Sequence, residues 1–312
     1  MYLSEKTIRN LNSKLDALNS LRPVSPTVLK KIRERFEIEM VYNSNAIEGN
    51  LLTLKETYWV IREGITIKDK PLKDHLEAKN QQEALEYLYE LVEHGKKNTI
   101  SEVLIKQLHS LVVRDTERDV AGKYRDGDVI IAGGSHRPHG HLEVPPKMQE
   151  LVTWLADSRE KYHAVELAAL LHHKLVFIHP FWDGNGRLAR LAMNIQIMEA
   201  GFTLAIILKN DRKRYYRVLG EANEGRYGPL CEFVAQAVIR SLNIYLSTLA
   251  PTKKKDEKYV SLEQLARQST YSAAYLRKLA TQGKLEAFKD GRNWLSSKKA
   301  LREYMESRKR RK

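Results

Sequence analysis

The stretch His179-Pro180-Phe181-Trp182-Asp183-Gly184-Asn185-Gly186-Arg187-Leu188-Ala189-Arg190 decides how the chain is read. Upstream of it, Leu170, Leu171, Leu175, Val176 and Phe177 form an apolar helical run. Pro180 disfavours the α conformation at the residue before it, so this helix is expected to stop at His179 and leave the imidazole at its end. Gly184-Asn185-Gly186 can then bring successive backbone N–H groups to bear on one point. Leu188, Leu191, Ala192 and Ile195 follow at helical spacing. A glycine-rich turn that opens a helix is a cradle for an anion, and the expected occupant is a phosphate. A satisfied helix-end histidine beside a plain turn is the bland alternative. A His, an acid, Gly-Asn-Gly and two Arg at fixed offsets would rarely coincide by chance, which outweighs it.

At 312 residues and 42% hydrophobic, the chain can bury a sizeable core and has room for two or three domains. No apolar run approaches a membrane span, and the N-terminus MYLSEKTIRN has no secretory core. A soluble cytoplasmic protein without a membrane partner is expected. Cys231 is the only cysteine, which excludes an intrachain disulfide and suits a small buried apolar residue. The net charge of +14 is unevenly placed: residues 251–312 carry 18 Lys and Arg against 7 Asp and Glu, while the rest of the chain is nearly balanced. Such a tail suggests an attached module with a polyanionic partner.

The chain reads as mainly α. Ser25-Pro26 caps a helix carrying Val28, Leu29, Ile32, Phe36 and Met40, which runs to Gly49. Asp74 with Glu77 resembles a capping box for a helix through Leu85, Leu88 and Leu91, closed by His94-Gly95. Ser101 opens the next helix. Between Gly122 and Pro146, glycines, prolines and histidines surround Val129-Ile130-Ile131, read as a β-hairpin flap. His136, His139 and His141 lie in this loop without a paired acid at metal-site spacing, and His172-His173 falls inside an apolar helix as structural residues. The polar stretch from Pro251 to Lys258 is a linker. Beyond it, Ser261 and Ser272 cap two short helices, and Asp290-Gly291 turns a hairpin. The domains expected are an N-terminal helical region at 1–97, a catalytic domain at 98–245, a linker at 246–258 and a small domain at 259–312.

The residues 179–190 match, at every fixed position, the signature HPFx(D/E)GNGRxxR, and the chain resembles the Fic family over about residues 30 to 245. The resemblance implies a Fic-type helical bundle with a hairpin flap. It also implies a protein adenylyltransferase that moves AMP from ATP to a Ser, Thr or Tyr hydroxyl of a target protein not identifiable from sequence. His179 is then the general base, and Asp183 holds Mg2+, which prefers few carboxylates plus substrate phosphates. Gly184, Asn185 and Gly186 form the phosphate nest, with Arg187 and Arg190 as planar phosphate donors. A kinase-like branch of the superfamily carries lysine at position 186, so Gly186 favours adenylyl transfer. Other nucleotidyl and choline-phosphate transfers share the signature.

Ser44-Asn45-Ala46-Ile47-Glu48-Gly49-Asn50 resembles the family's inhibitory pattern (S/T)xxxE(G/N). The implication is that Glu48, four residues from Ser44 on one helix face and followed by Gly49, pairs with Arg190 and removes the γ-phosphate ligand. Val129, Ile130 and Ile131 resemble the flap that covers the site, while Tyr215, Tyr216 and Asn223 follow the family spacing for adenine contacts. Residues 259–312 resemble a winged helix-turn-helix of the excisionase and MerR-like type. That implies DNA binding, with the helix from Ser272 to Ala280 in the major groove, the Asp290-Gly291 hairpin as wing, and Arg277, Lys278 and Arg292 near phosphates. A basic protein-docking module is the alternative. Two rival functions stand beside transfer: a de-adenylylating hydrolase of the same fold, and a DNA-binding regulator with a nucleotide-sensing or dormant Fic domain. A homodimer is compatible with either.

Overall fold

The computed structural model describes residues 1–94, 100–131, 136–250, 258–282, 284–290 and 292–309. Gly95, Ala132, Gly291 and most of the linker lie outside the described residues. At the centre, helix α7 (Ala164–Ile178) packs along α8 (Asn185–Glu199). Both are buried on nearly every side, as an apolar helix inside a larger body must be. Around them lie α1 (Glu5–Asn19), α2 (Pro26–Ile47), α3 (Leu54–Arg62), α4 (Leu72–His94), α5 (Glu102–Val113), α6 (Val144–Ser158), α9 (Arg212–Asn223) and α10 (Gly228–Leu249). One core runs from Leu3 to Tyr245, so the 1–97 and 98–245 regions share their interior. Glu166, buried in the first turn of α7, accepts the N–H groups of Tyr2, Leu3 and His163 and anchors the start of the chain. Cys231 is buried in that core, and burial pushes its thiol up to about 12.

Several ends fall where local chemistry puts them. Pro26 occupies the first turn of α2, and Ser101 caps α5 through Leu104 N–H. Helix α4 is a correction: it starts at Leu72, after Pro71, so Asp74 lies inside its first turn. Asp74 instead accepts Leu51 N–H, and Glu77 accepts from the Asn50 side chain. The flap is the second correction. No strand forms among the described residues of 122–146. A ladder needs two limbs facing each other. Here the second limb is held on α7, by His136 Nε2 bonded to the Phe177 carbonyl at 2.8 Å with its ring stacked on Phe177.

The C-terminal module contains β1 (Val260–Ser261), α11 (Leu262–Ala266), α12 (Ala273–Thr281), β2 (Ala287–Asp290), β3 (Asn293–Ser296) and α13 (Lys298–Lys309). Ser261 and Ser272 cap its two short helices. The sheet is antiparallel in the order β1-β3-β2, with Phe288 opposite Leu295. Leu262, Leu265, Leu276, Leu279, Leu285 and Leu301 form a small core of its own. The hairpin expected to stand free as a wing does not. Phe288 is buried in the core of the main body, Lys289 pairs with Asp211, and Asp290 pairs with Arg35 at 2.7 Å. Arg240 of α10 binds both the Lys289 carbonyl and Glu39 of α2. A cavity of about 700 Å3 lies between this hairpin, α10 and α1. Among the described residues, no helix is long and apolar enough to cross a membrane.

The apolar plug and the ion pairs of the hairpin hold the module against the main body. Phe288→Ala removes a buried ring, a change that costs roughly 3–5 kcal/mol in a packed core. Hydrogen exchange of the β2 and β3 amides is expected to accelerate in this variant while α7 and α8 stay protected. Equal protection in both proteins would show that Phe288 is not the anchor.

Candidate active site

Helix α7 stops at Ile178, and His179 follows in the left-handed conformation, φ 53° and ψ 59°, which costs a residue with a side chain about 1–2 kcal/mol. Its N–H bonds to the Leu175 carbonyl at 3.0 Å, and its own carbonyl accepts from Arg125 Nε at 2.8 Å. Ring Nδ1 lies 3.3 Å from the Val176 carbonyl, so Nδ1 carries the proton and Nε2 keeps a free lone pair. Burial pushes the imidazole below its ordinary pKa; Arg125 adds to that, while the Val176 carbonyl and Glu48 oppose it. The ring is therefore neutral at pH 7 and able to take a proton.

Gly184, at φ 75°, caps α8. A side chain there would meet Val113 at 2.8 Å, so both the backbone angle and the close approach call for glycine. The first intrahelical bond is Leu188 N–H to Gly184, which leaves the N–H groups of 185 to 187 pointing out of the helix end. Both ends of the Asn185 side chain bond the backbone of Phe181, so it shapes the loop, and its N–H is left with the others at the helix end. Asp183 accepts from Gly184 N–H at 2.6 Å and from Arg187 at 3.2 Å, with Lys73 at 3.7 Å. Burial would raise its carboxyl, but Arg187, Gly184 N–H and Lys73 hold it below the usual range.

Arg187 is buried between Asp183 and Glu77, whose Oε1 is 3.2 Å away. Arg190 is buried as well. Its Nη2 binds Glu48 Oε1 and the Ser44 carbonyl, both at 2.8 Å, and its Nε binds Ser44 Oγ at 3.0 Å. Glu48 caps the C-terminal end of α2, and Gly49 at φ 109° turns the chain away. The Glu48 carboxylate lies over Gly186, in the space a Cβ there would fill. Among the described residues, Arg190 Nη1 and Arg187 Nε are buried without a hydrogen-bond partner, and Arg187 Nη1 has only its ion pair with Glu77. These orphaned donors fit a polyanion at the end of α8. A lone, partly exposed carboxylate at Asp183 fits a magnesium ion that takes its other ligands from phosphates and water.

The expected adenine contacts divide. Tyr215 is 1% exposed: its hydroxyl meets His172 Nε2 at 2.9 Å deep in the core, so it cannot stack on a base. Tyr216 is half-exposed, with the Arg212 guanidinium 5.1 Å from its ring. Asn223 gives its oxygen to His173 and lines a cavity of about 410 Å3 with His139, Phe177 and Ile178. Ile130 projects into solvent, while Val129 and Ile131 are half-buried. His136, His139 and His141 form no metal cluster, and none with three or more such ligands occurs among the described residues.

Four supporting residues escaped the sequence reading: Arg125, Glu77, Lys73 and His109. His109 Nδ1 accepts Gly122 N–H, so Nε2 donates to the Asp183 carbonyl, and its ring stacks 3.7 Å from Phe181. Nothing local in the sequence ties this helix to a loop 74 residues away.

An all-helical body with a neutral histidine, unpaired backbone N–H groups and buried arginines at one helix end defines a helix–loop–helix site whose chemistry suits an anion. Residues 99–197 match the Fic/DOC family model. The chain is 35% identical over 248 residues to protein adenylyltransferase Fic of Nematostella vectensis, covering 79% of this chain and 57% of that one. It is similar to the structure of a variant of Fic-1 from C. elegans, with TM-score 0.69 and 31% identity over 78% of this chain and 72% of that one. A Fic domain containing signaling protein from Bacteroides thetaiotaomicron gives TM-score 0.71 and 28% identity over 78% of this chain and 99% of that one. The chain belongs to the Fic/DOC family. It spans little more than half the length of its Nematostella relative.

Two buried histidines set the acid stability of this site. Burial lowers His109 to about 4 and His172 to about 3. Both are neutral when folded and bind protons more readily when unfolded, so their stabilisation is whole above pH 6.5 and declines as pH falls toward the folded values. Between pH 7 and pH 5 each is expected to cost about 2 kcal/mol. Denaturant unfolding at the two pH values measures the difference; a flat stability would contradict neutral burial.

Proposed function

We propose that the protein is an adenylyltransferase that moves AMP from ATP to a protein hydroxyl and is restrained by Glu48. The observation that carries this reading is the grouping of a neutral His179 with unpartnered Arg187 and Arg190 donors at the start of α8. In the proposed reaction, His179 Nε2 takes the proton of the target hydroxyl as its oxygen bonds to the α-phosphorus. The bond from that phosphorus to the bridging oxygen breaks, and pyrophosphate leaves. Arg187, Arg190 and the N–H groups of 185 to 187 hold the phosphates. Magnesium held by Asp183 would neutralise phosphate charge. Val129 to Ile131, with no strand partner among the described residues, suit a target segment that adds beside them. The names of the relatives support adenylyl transfer as the reaction type.

Restraint follows from competition. Glu48 occupies the Arg190 Nη2 donor and the space over Gly186, so a triphosphate reaches its productive place only after the carboxylate withdraws. The same carboxylate could orient a water for removal of AMP, with His179 as the acid, which is the hydrolase alternative. Labelled ATP separates the two. Glu48→Gly is expected to raise automodification at least about tenfold, equivalent to ~1.4 kcal/mol in productive binding. Adding His179→Ala should abolish the label while ATP binding persists. Glu48→Gly protein no more active than wild type at saturating ATP would remove Glu48 as the brake; loss of label from a modified protein in wild type alone would favour the hydrolase.

For the module, DNA binding retains one support: Arg277 and Lys278 stand exposed on α12. With the hairpin docked, such contacts fall to α12 without a wing. Anisotropy with duplex DNA is then expected to fall by about 0.9 in log K per unit log salt for each phosphate contacted. No binding by the full chain at low salt would leave the module a protein-docking element.

A further inference from the structure

Arg125 is 2% exposed, yet no carboxylate comes close to its guanidinium; the nearest, Asp128, is 3.8 Å away and largely in solvent. Its donors go to backbone carbonyls instead. Nε binds the carbonyl of His179 at 2.8 Å, Nη1 that of Gly127 at 2.9 Å, and Nη2 that of His139. Its own N–H holds the Pro180 carbonyl at 3.0 Å. One side chain thus joins three segments: the end of α7 with the loop beyond it, and both limbs of the 127–139 stretch that borders the site.

We propose that Arg125 is the positioning residue of the catalytic loop: its planar fork holds His179 in the left-handed conformation and ties the bordering stretch to it. The assignment rests on reading His179 as the general base. A buried cation hydrogen-bonded only to carbonyls, with a single solvent-exposed carboxylate at 3.8 Å, is costly to place, and a plain packing role would be filled as well by an apolar side chain. The cost is offset where carbonyl dipoles converge, and the C-terminal end of α7 supplies such a field. Geometry also decides the residue type. A guanidinium presents donors along fixed divergent directions, whereas an ammonium is a single point and cannot span three separated carbonyls. Two further contacts hold the same seam. Gly127 packs so closely on Trp182 of the loop that a Cβ would lie 2.8 Å from the indole, and His136 bonds the Phe177 carbonyl.

Two substitutions separate fork from charge. Arg125→Lys keeps the charge and loses the fork; Arg125→Gln loses both. The charged and titratable groups around the His179 ring are Arg125, Glu48 and His136. Removing the cation should therefore raise the His179 pKa in Arg125→Gln and leave it near wild type in Arg125→Lys, read by NMR titration of the imidazole. Both variants should show faster hydrogen exchange over 127–131 and 136–139. In the Glu48→Gly background both should keep ATP affinity within about twofold while labelling falls at least tenfold. The titration and exchange arms need no transfer activity, so they test Arg125 even if the protein never labels a target. Unchanged exchange and unchanged labelling in Arg125→Lys would overturn the proposal, as would ATP affinity falling in step with labelling. Should Arg125→Gln fail to fold, Arg125→Lys alone carries the same decision.

Discussion

The guanidinium of Arg190 is 1% exposed, and a cation taken that far out of water must find its compensation inside the chain. Three groups surround it: the Ser44 backbone and hydroxyl and the Glu48 carboxylate, which bond it, and the buried Tyr215 hydroxyl, whose electrostatic influence reaches it. They come from α2 and α9, so burial of one arginine on α8 brings the end of α2 and the start of α9 to the same place. Asn43 of α2 accepts Lys209 N–H, and Arg212 donates to the Ile47 carbonyl, which closes the same junction from the far side. Of the three groups only Glu48 is substantially reached by solvent, and it is therefore the one an incoming anion can replace without opening the core.

The loop after α7 obeys a related rule. Its carbonyls cannot be paired within a helix, so those of His179, Phe181 and Asp183 go to the side chains of Arg125, Asn185 and His109, and that of Pro180 to the Arg125 backbone N–H. These bonds are what keep a left-handed histidine and a left-handed glycine within six residues of each other. Rigidity at this point fixes where the His179 ring stands. The two arginines at the start of α8, Arg187 and Arg190, are likewise held from behind, by Glu77 and Ser44.

Docking of the C-terminal hairpin places α2 under a second constraint. Asp290 and Arg240 bracket Arg35 and Glu39 before Ser44, so the helix that leads to Glu48 is held at its middle as well as at its C-terminal end. The positive charge of the tail, conspicuous in composition, is consumed in this contact only by Lys289 with Asp211 among these pairs; Glu286 of the tail in turn takes Lys14 from the body.

The sequence by itself determined whatever depends on neighbours along the chain. The stop at Pro180, the glycine turn into α8, the serine caps at 101, 261 and 272, and the pairing of Ser44 with Glu48 on one helix face all follow from local sterics and helical period. The twelve consecutive residues of the motif stand together at the start of α8 for the same reason. Tertiary structure alone decided which partners reach across. Tyr215 is drawn inward because a buried His172 needs its hydroxyl, whereas Tyr216 beside it stays open. Asp74 and Glu77, which look like a cap, are turned to Leu51, Asn50 and Arg187. The stretch at 129 shows no strand among its described residues because its return limb is held on α7, and the hairpin gives up its free wing because Phe288 finds an apolar seat on the body. Helical period and turn chemistry act over a few residues; satisfying a buried charge or burying a ring depends on whichever group the fold brings near, and no local pattern encodes that.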